Sequence, residues 1–429
     1  MVSTHGQTMS EHSSSDRALD PGISPIRLVH VISDLSIGGA EMMLYKLLAE
    51  TDLTRFAPVV VSLIDRGDLR ARIEALGIPV HMIRMKPGVP SPLGFLRLVR
   101  LLRKLDPDLV LGWMYHSCLA SQMAKFFLPR RTKIFWSIHY ANDSFASEKF
   151  LTAVVVKACA LISRLADQII FVSRASQTQH RRLGYHLSHS CVIPNGINTA
   201  EFVPSKERRA SVRRELDLSE ESFLIGMTGR YHPTKDHANF LQAAALTIAK
   251  HHDVNFLMVG QGVDEQNAAL RQLIESSGLT GRVHLLGERH DIARIAAALD
   301  VFSLSSNSES FPNVIGEAMA CEVACAVTNV GDAHWIVGDS GLVVPPRDSN
   351  RLATAWSRII ELSAEDRMAL GRSARERVIK YFQLDSVVRR YEELYSTIAA
   401  PKTIDDFAPK SRGLALTSLN ATFDDSSVS

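Results

Sequence analysis

"DVFSLSSNSESFPNVIGEAMACEVACAVT", residues 300–328, passes from an apolar run through a polar loop into a helix of small residues, then into a second apolar run. "DVFSLSS" and "EVACAVT" are near-continuous in their apolar residues rather than alternating, as parallel strands are when helices cover both faces. The helix between them starts at about Asn313, just after Pro312. This is one β–α–β unit, and it sets the rhythm for the rest of the chain.

Working outward, "SFLIGMTGR", "NFLMVG", "RVHLLG" and "GLVVPP" complete a set of strands in the second half. "IRLVHVIS", "APVVVSLI", "IPVHMI", "DLVLGWM", "KIFWSI", "DQIIFVS" and "SCVIP" form a set in the first. Amphipathic stretches such as "GAEMMLYKLLAE" and "DHANFLQAAALTIAKHH" fill the gaps. The pattern predicts an α/β chain of two doubly wound, Rossmann-like domains. We place a loose tail at 1–24, a first domain at 25–200, a second at 201–380, a final helix at 381–398 and a second tail at 399–429. The seam follows "IPNGINTAEFVPSKERR", where Pro, Asn and Gly punctuate the chain. Ligands of such folds sit in the crevice at the carboxyl ends of the strands, so the loops after strands carry the function.

A length of 429 residues, 46% hydrophobic and 22% charged, suits a soluble two-domain enzyme. Net charge is only +2, yet residues 25–200 hold 22 Lys/Arg against 12 Asp/Glu. A basic first half suits an anionic partner. Nucleic acid is excluded, because the interleaved surface aromatics of a recognised nucleic-acid module are missing. Cys118, Cys159, Cys191, Cys321 and Cys325 have neither disulfide-framework nor zinc spacing and read as buried thiols. Cys321 and Cys325 are expected one helical turn apart. The N-terminus has no apolar signal-peptide core, and "LTAVVVKACALIS", broken by Lys157, falls short of the roughly 20 residues that cross a bilayer. A cytoplasmic protein, at most touching a membrane from inside, is expected.

Two motifs carry chemistry. In "GMTGRYHPTKDH", Arg230 and Lys235 follow a strand and suit a diphosphate, the first as a planar fork and the second as a point charge. In the opening stretch, the free amides at the start of the 313 helix make an anion site, with Ser308 or Ser310 as further donors. Glu309 before that turn and Glu317 inside the helix would flank the anion, and carboxylates bind vicinal hydroxyls.

Together these residues resemble the retaining family 4 glycosyltransferases of the GT-B fold, over about residues 26–398. Glu309 to Glu317 matches the family's E-x7-E element, supported by Gly229-Arg230 with Lys235, "IGGAE", "SIHY", "IPNGINTAEF", "VGQGVDE" and "VTNVGDAHWIVGDSGLVVPPRD". The resemblance implies a UDP- or GDP-sugar donor whose diphosphate is held by Arg230 and Lys235. It implies that Glu309 meets the transferred sugar and Glu317 the ribose. Gly38 and Gly39 would admit the sugar and diphosphate without a β-carbon, and Asn313 and Val314 would line the anion site. His139 would be the active-site histidine, and His116 an acceptor-side group. No cofactor or metal is expected, since Arg and Lys supply the positive charge. A final helix crossing back to the first domain is also implied.

On the acceptor side, Arg97, Arg100 and Lys104 form a cationic stripe, and Phe126 and Phe127 stand beside Arg130 and Arg131. This suits an anionic inner-membrane surface or a polyprenyl-diphosphate-linked glycan, and hence a role in cell-surface polysaccharide synthesis. Glu288 and Arg289 lie where a donor base could be read. The alternatives are a nucleotide-sugar 2-epimerase of the same fold and a non-catalytic sugar-nucleotide-binding protein.

Overall fold

The computed structural model describes residues 24–87, 91–140 and 150–397, and contains two all-parallel sheets. The first holds β1 (Ile26–Ile32), β2 (Phe56–Ser62), β3 (Val80–Met82), β4 (Leu109–Trp113), β5 (Lys133–Ile138), β6 (Gln168–Phe171) and β7 (Ser190–Val192), in the order β3-β2-β1-β4-β5-β6-β7. The second holds β8 (Phe223–Thr228), β9 (Val254–Val259), β10 (Val283–Leu285), β11 (Val301–Leu304), β12 (Ala324–Thr328) and β13 (Gly341–Val344), in the order β10-β9-β8-β11-β12-β13.

Burial on both faces explains the unbroken apolar runs. Leu28 and Ile32 of β1 enter one core with Leu44, Leu47 and Phe56. Val29 and Val31 enter another beneath the helices Pro92–Leu105 and Phe150–Ile162, with Leu98, Leu102 and Trp136. The stripe of Leu98 and Leu102 leaves Arg97, Arg100 and Lys104 in solvent. Ser91 starts that helix by accepting Gly94 N–H at 3.0 Å, with Pro92 in its first turn.

The chain returns across the seam. Ile197 pairs with the break at Gln383, and the helix Leu384–Ser396 buries Val387, Val388, Tyr391 and Tyr395 in the first core. One final helix was expected; there are two, Ala364–Phe382 packed on the second core and Leu384–Ser396 packed on the first, with Gln383 extended between them. Cys321 caps the end of helix Asn313–Ala320 while Cys325 lies inside β12, so the two thiols do not share a helical turn. All five cysteines are free and buried.

In each sheet the winding reverses between two neighbours, β1 and β4 in the first and β8 and β11 in the second. The carboxyl ends of those strands therefore diverge and open a crevice.

Candidate functional site

After β8 the chain turns sharply at Asp236, whose φ of 50° is left-handed and whose carboxylate caps the helix His237–Ile248 through Asn239 N–H. The loop before it is fastened to the loop after β11. Asn307 N–H donates to the Thr234 carbonyl at 2.8 Å, and Ser305 Oγ donates to the Lys235 carbonyl at 2.8 Å. This brings Lys235 Nζ to 2.5 Å from Glu309 Oε1, which also accepts from Ser306 Oγ at 2.7 Å. Arg230 stands exposed on the same loop and makes no ion pair among the described residues.

Gly331 closes over these groups with φ 55°; a β-carbon there would lie 2.6 Å from the Ser310 carbonyl oxygen, so the turn admits only glycine. Next to it Asp332 is buried, and its carboxylate accepts Arg174 N–H at 2.7 Å and Ala175 N–H at 2.9 Å, at the start of the helix Arg174–Arg182. Burial pushes this carboxyl up to about 6, against the two amides that favour its charge. Ser173 Oγ and Ser310 Oγ, 2.9 Å apart, add a second tie between the halves. Ser310 spends its hydroxyl there.

The helix Asn313–Ala320 points its first turn into the same crevice. Asn313 Oδ1 accepts from Asn195 Nδ2 at 2.9 Å, and Val314 is partly buried against the second core. Glu317 was expected to project from this helix towards a ligand in the cleft. Its carboxyl is largely buried and 3.8 Å from Lys46 of the helix Gly39–Glu50 in the first half. Burial raises its pKa, and Lys46 opposes the rise.

Across the crevice, His139 follows β5. Its ring stacks on Trp113 with centroids 4.9 Å apart, and Nε2 is 2.8 Å from Ser137 Oγ. Burial draws its pKa down to about 3, opposed by a hydrogen bond with the Asn195 side chain, so the imidazole is neutral at physiological pH. Asn195, which also donates to Asn313, thus links His139 to the start of helix Asn313–Ala320.

Gly38 and Gly39 need no left-handed backbone. The space above Gly39 is open, and the position of a β-carbon on Gly38 is taken by the Glu41 carboxylate. His116 is exposed and lines a cavity on the first-half side.

Three of the expected residues already have ion-pair partners within the chain. Arg289 is bound to Glu215 at 2.7 Å and Asp291 at 2.8 Å. Arg131 is paired with Asp106, so its charge is spent within the chain. Glu317, as above, meets a lysine. Lys46, Asn195, Asp332 and Glu41 were not singled out. Asn195, Asp332 and Glu41 lay within quoted motifs, whereas Lys46 gave no signal, being one lysine on an amphipathic helix.

Residues 37–201 match the description of Glycosyltransferase Family 4, and residues 222–362 that of Glycosyl transferases group 1. The two matches take in most of the chain, which belongs to this glycosyltransferase family. A relative in Campylobacter jejuni, an N,N'-diacetylbacillosaminyl-diphospho-undecaprenol alpha-1,3-N-acetylgalactosaminyltransferase, is 24% identical over 86% of this chain and 98% of its own. An Escherichia coli UDP-Gal:alpha-D-GlcNAc-diphosphoundecaprenol alpha-1,3-galactosyltransferase is 28% identical over 49% of this chain and 55% of its own. The crystal structure of HepE from Anabaena in complex with UDP superposes with a TM-score of 0.76 at 24% identity, covering 87% of this chain and 100% of that one. The fold is GT-B, as the resemblance implied.

Proposed function

We propose that the protein transfers a hexosyl or N-acetylhexosaminyl unit from a UDP- or GDP-sugar, with retention at the anomeric carbon, to a glycan carried on a polyprenyl diphosphate. The observation that carries this is one convergence. Lys235 is held to Glu309 in the loops after β8 and β11, and His139 after β5 is linked through Asn195 to Asn313 at the start of helix Asn313–Ala320, so groups of both halves converge at the carboxyl ends of the strands.

The chemistry follows from those groups. Lys235, Arg230 and the helix amides at Asn313 and Val314 receive the donor diphosphate and stabilise it as the anomeric C–O bond breaks and its electron pair passes to phosphate. The acceptor oxygen then bonds to the anomeric carbon from the same face, and its proton goes to the departing phosphate oxygen. Glu309 binds hydroxyls of the transferred sugar. Glu317, once Lys46 yields, binds the ribose. Neutral His139 serves as a hydrogen-bonding partner of the sugar rather than as a charged acid. Gly39 leaves open room for the sugar and diphosphate, and at Gly38 that room is free once the Glu41 carboxylate swings aside.

A lipid-linked acceptor is supported by the substrates in the names of the Campylobacter and E. coli relatives. The surface supports it too. Phe126 and Phe127 are 77% and 54% exposed, with Leu93, Leu96 and Leu161 also exposed. Phe127 meets Phe95 edge-on, and Gln122 ties the neighbouring helix to the Leu165 carbonyl, so these side chains belong to one layer. Asp106 and Asp108 are neutralised by Arg27 and Arg131, and among the described residues Arg97, Arg100, Lys104 and Arg130 make no ion pair. Such a face suits an anionic bilayer. No helix among the described residues is long and apolar enough to cross a membrane, so contact would be peripheral.

The test is a thermal-shift screen against UDP- and GDP-sugars, followed by transfer to lipid-linked oligosaccharides and sedimentation with anionic liposomes. Failure to elongate any such acceptor, together with failure to sediment, refutes the lipid-linked reading. Epimerised donor formed without acceptor would favour the 2-epimerase. Tight donor binding with neither reaction would favour a non-catalytic binder.

A further inference from the structure

Four side chains of the first sheet lie in a row on one face, and strand register puts them there. His30 of β1 pairs with Leu111 of β4, so Trp113, two residues on, shares its face. Trp113 pairs with Ser137 of β5, and His139 follows Ser137 by two residues. The helix Leu384–Ser396 covers this face, since Leu111, Trp113, Phe135, Tyr391 and Tyr395 belong to one core.

Contacts join the row. Trp113 Nε1 donates to His30 Nδ1 at 3.2 Å, and both residues are buried. The indole carries the ring of His139, stacked at 4.9 Å with the planes 23° apart. Burial draws the His30 pKa down to about 3, so this ring stays neutral, with Nδ1 an acceptor and the proton on Nε2. Tyr395 meets His30 edge-on at 6.4 Å. At the other end the Tyr391 hydroxyl bonds Ser137, whose Oγ lies 2.8 Å from His139 Nε2.

Each contact fixes a different freedom of His139. Ser137 and Asn195 act on its nitrogens and set the rotation of the ring within its own plane. Trp113 lies against the ring face and sets the tilt of that plane. The second torsion of a tryptophan is intrinsically broad, and the bond to His30 narrows it here. His30 is buried and acts through Trp113.

We infer that His30 is a positioning residue for the transferred sugar: by pinning the Trp113 indole it fixes the plane in which His139 meets that sugar. The inference rests on the reading of His139 as a sugar-binding group and adds the residue behind it. Groups that bind a reacting sugar need such support, because small misplacements cost large factors in rate.

The test uses the full chain. Calorimetry compares UDP-glucose, UDP-N-acetylglucosamine and GDP-mannose with UDP and GDP, and NMR follows the indole N–H signals of the four tryptophans, with Trp113 assigned by its loss in Trp113→Phe. His30→Leu keeps an apolar, buried side chain and removes the acceptor. It should move the Trp113 signal upfield and weaken the best-bound sugar nucleotide at least fivefold, while the free nucleotide stays within twofold. His30→Asn, whose Oδ1 takes the place of Nδ1, should restore most of that affinity. Trp113→Phe breaks the same bond from its other end and should reproduce the loss, with little added by a second change at His30. An unmoved indole signal, equal losses for sugar nucleotide and free nucleotide, unchanged sugar-nucleotide affinity, or no recovery in His30→Asn overturns the inference. Wild type that binds nucleotide but none of the sugar nucleotides overturns it too. In all these cases, if nucleotide binding is intact, the inference falls alone; if wild type binds neither UDP nor GDP, the transferase reading falls with it.

Discussion

Lys235→Ala isolates the charge on which the proposed chemistry depends. Lys235 holds Glu309 at 2.5 Å, with side chains 21% and 14% exposed. Losing this mostly buried charged hydrogen bond costs about 1.5–3 kcal/mol, although Glu309 keeps its bond from Ser306 Oγ when the lysine goes. The melting temperature should therefore fall by about 3–10 °C with the fold retained. Turnover should respond differently. A positioned cation on a departing diphosphate is worth about 3–4 kcal/mol, so kcat should drop roughly 10²- to 10³-fold. Lys235→Arg should recover only part of this, because a planar fork does not reproduce a point charge. Adding Glu309→Gln to Lys235→Ala closes a double-mutant cycle, and direct contact predicts non-additivity of about 0.5–3 kcal/mol. The assay is release of UDP or GDP in the presence of acceptor, beside a thermal melt of each variant. Turnover within a few-fold of wild type in Lys235→Ala would remove this lysine from the site, and a collapse in stability would assign it a structural role instead.

Tyr395 is 1% exposed and packs edge-on against Phe56 at 5.9 Å, so Tyr395→Ala should cost about 3–5 kcal/mol in urea unfolding, and deletion of 384–396 should give insoluble protein; a soluble, active truncation would refute the crossover's role. His30 and His139 are drawn down to about 3 and His180 to about 4, all by burial, so the folded chain binds fewer protons than the unfolded one below pH 6.5. Their stability is present above that pH and is lost as pH falls towards 4, while Asp332, raised to about 6, runs the other way and loses stability as pH rises through 6. His237, also drawn down to about 4, joins the histidines, as do the lowered His116, His232 and His284, while Glu41 and Glu317 are raised like Asp332. The lowered histidines outnumber the raised carboxyls, so the urea midpoint should be lower at pH 5 than at pH 7.5, and a flat profile would contradict the buried, neutral assignments. Replacing Phe126 and Phe127 by serine removes two exposed rings worth about 1.5–3 kcal/mol each when inserted, so binding to anionic vesicles should weaken at least tenfold with turnover on a water-soluble acceptor preserved; unchanged sedimentation would exclude this face.

All thirteen strands of the two sheets were visible as apolar runs, because a parallel strand buried on both faces has no polar side to break the run. The Glu309-to-Glu317 element, Arg230 with Lys235, and the helix start at Asn313 were legible for a similar local reason: a loop after a strand followed by free helix amides is written within a few residues. What tertiary structure alone decided is which charges are free. Arg131 and Arg289 look identical in sequence to Arg97 and Arg230, yet Asp106 neutralises the first, and Glu215, 74 residues away, joins neighbouring Asp291 on the second. Lys46 meets Glu317, and Asp332 seats on the helix Arg174–Arg182, only because the two halves close on each other. Local pattern fixes backbone periodicity, whereas burial and ion pairing depend on partners brought together by the fold, and those set the charge state of a site.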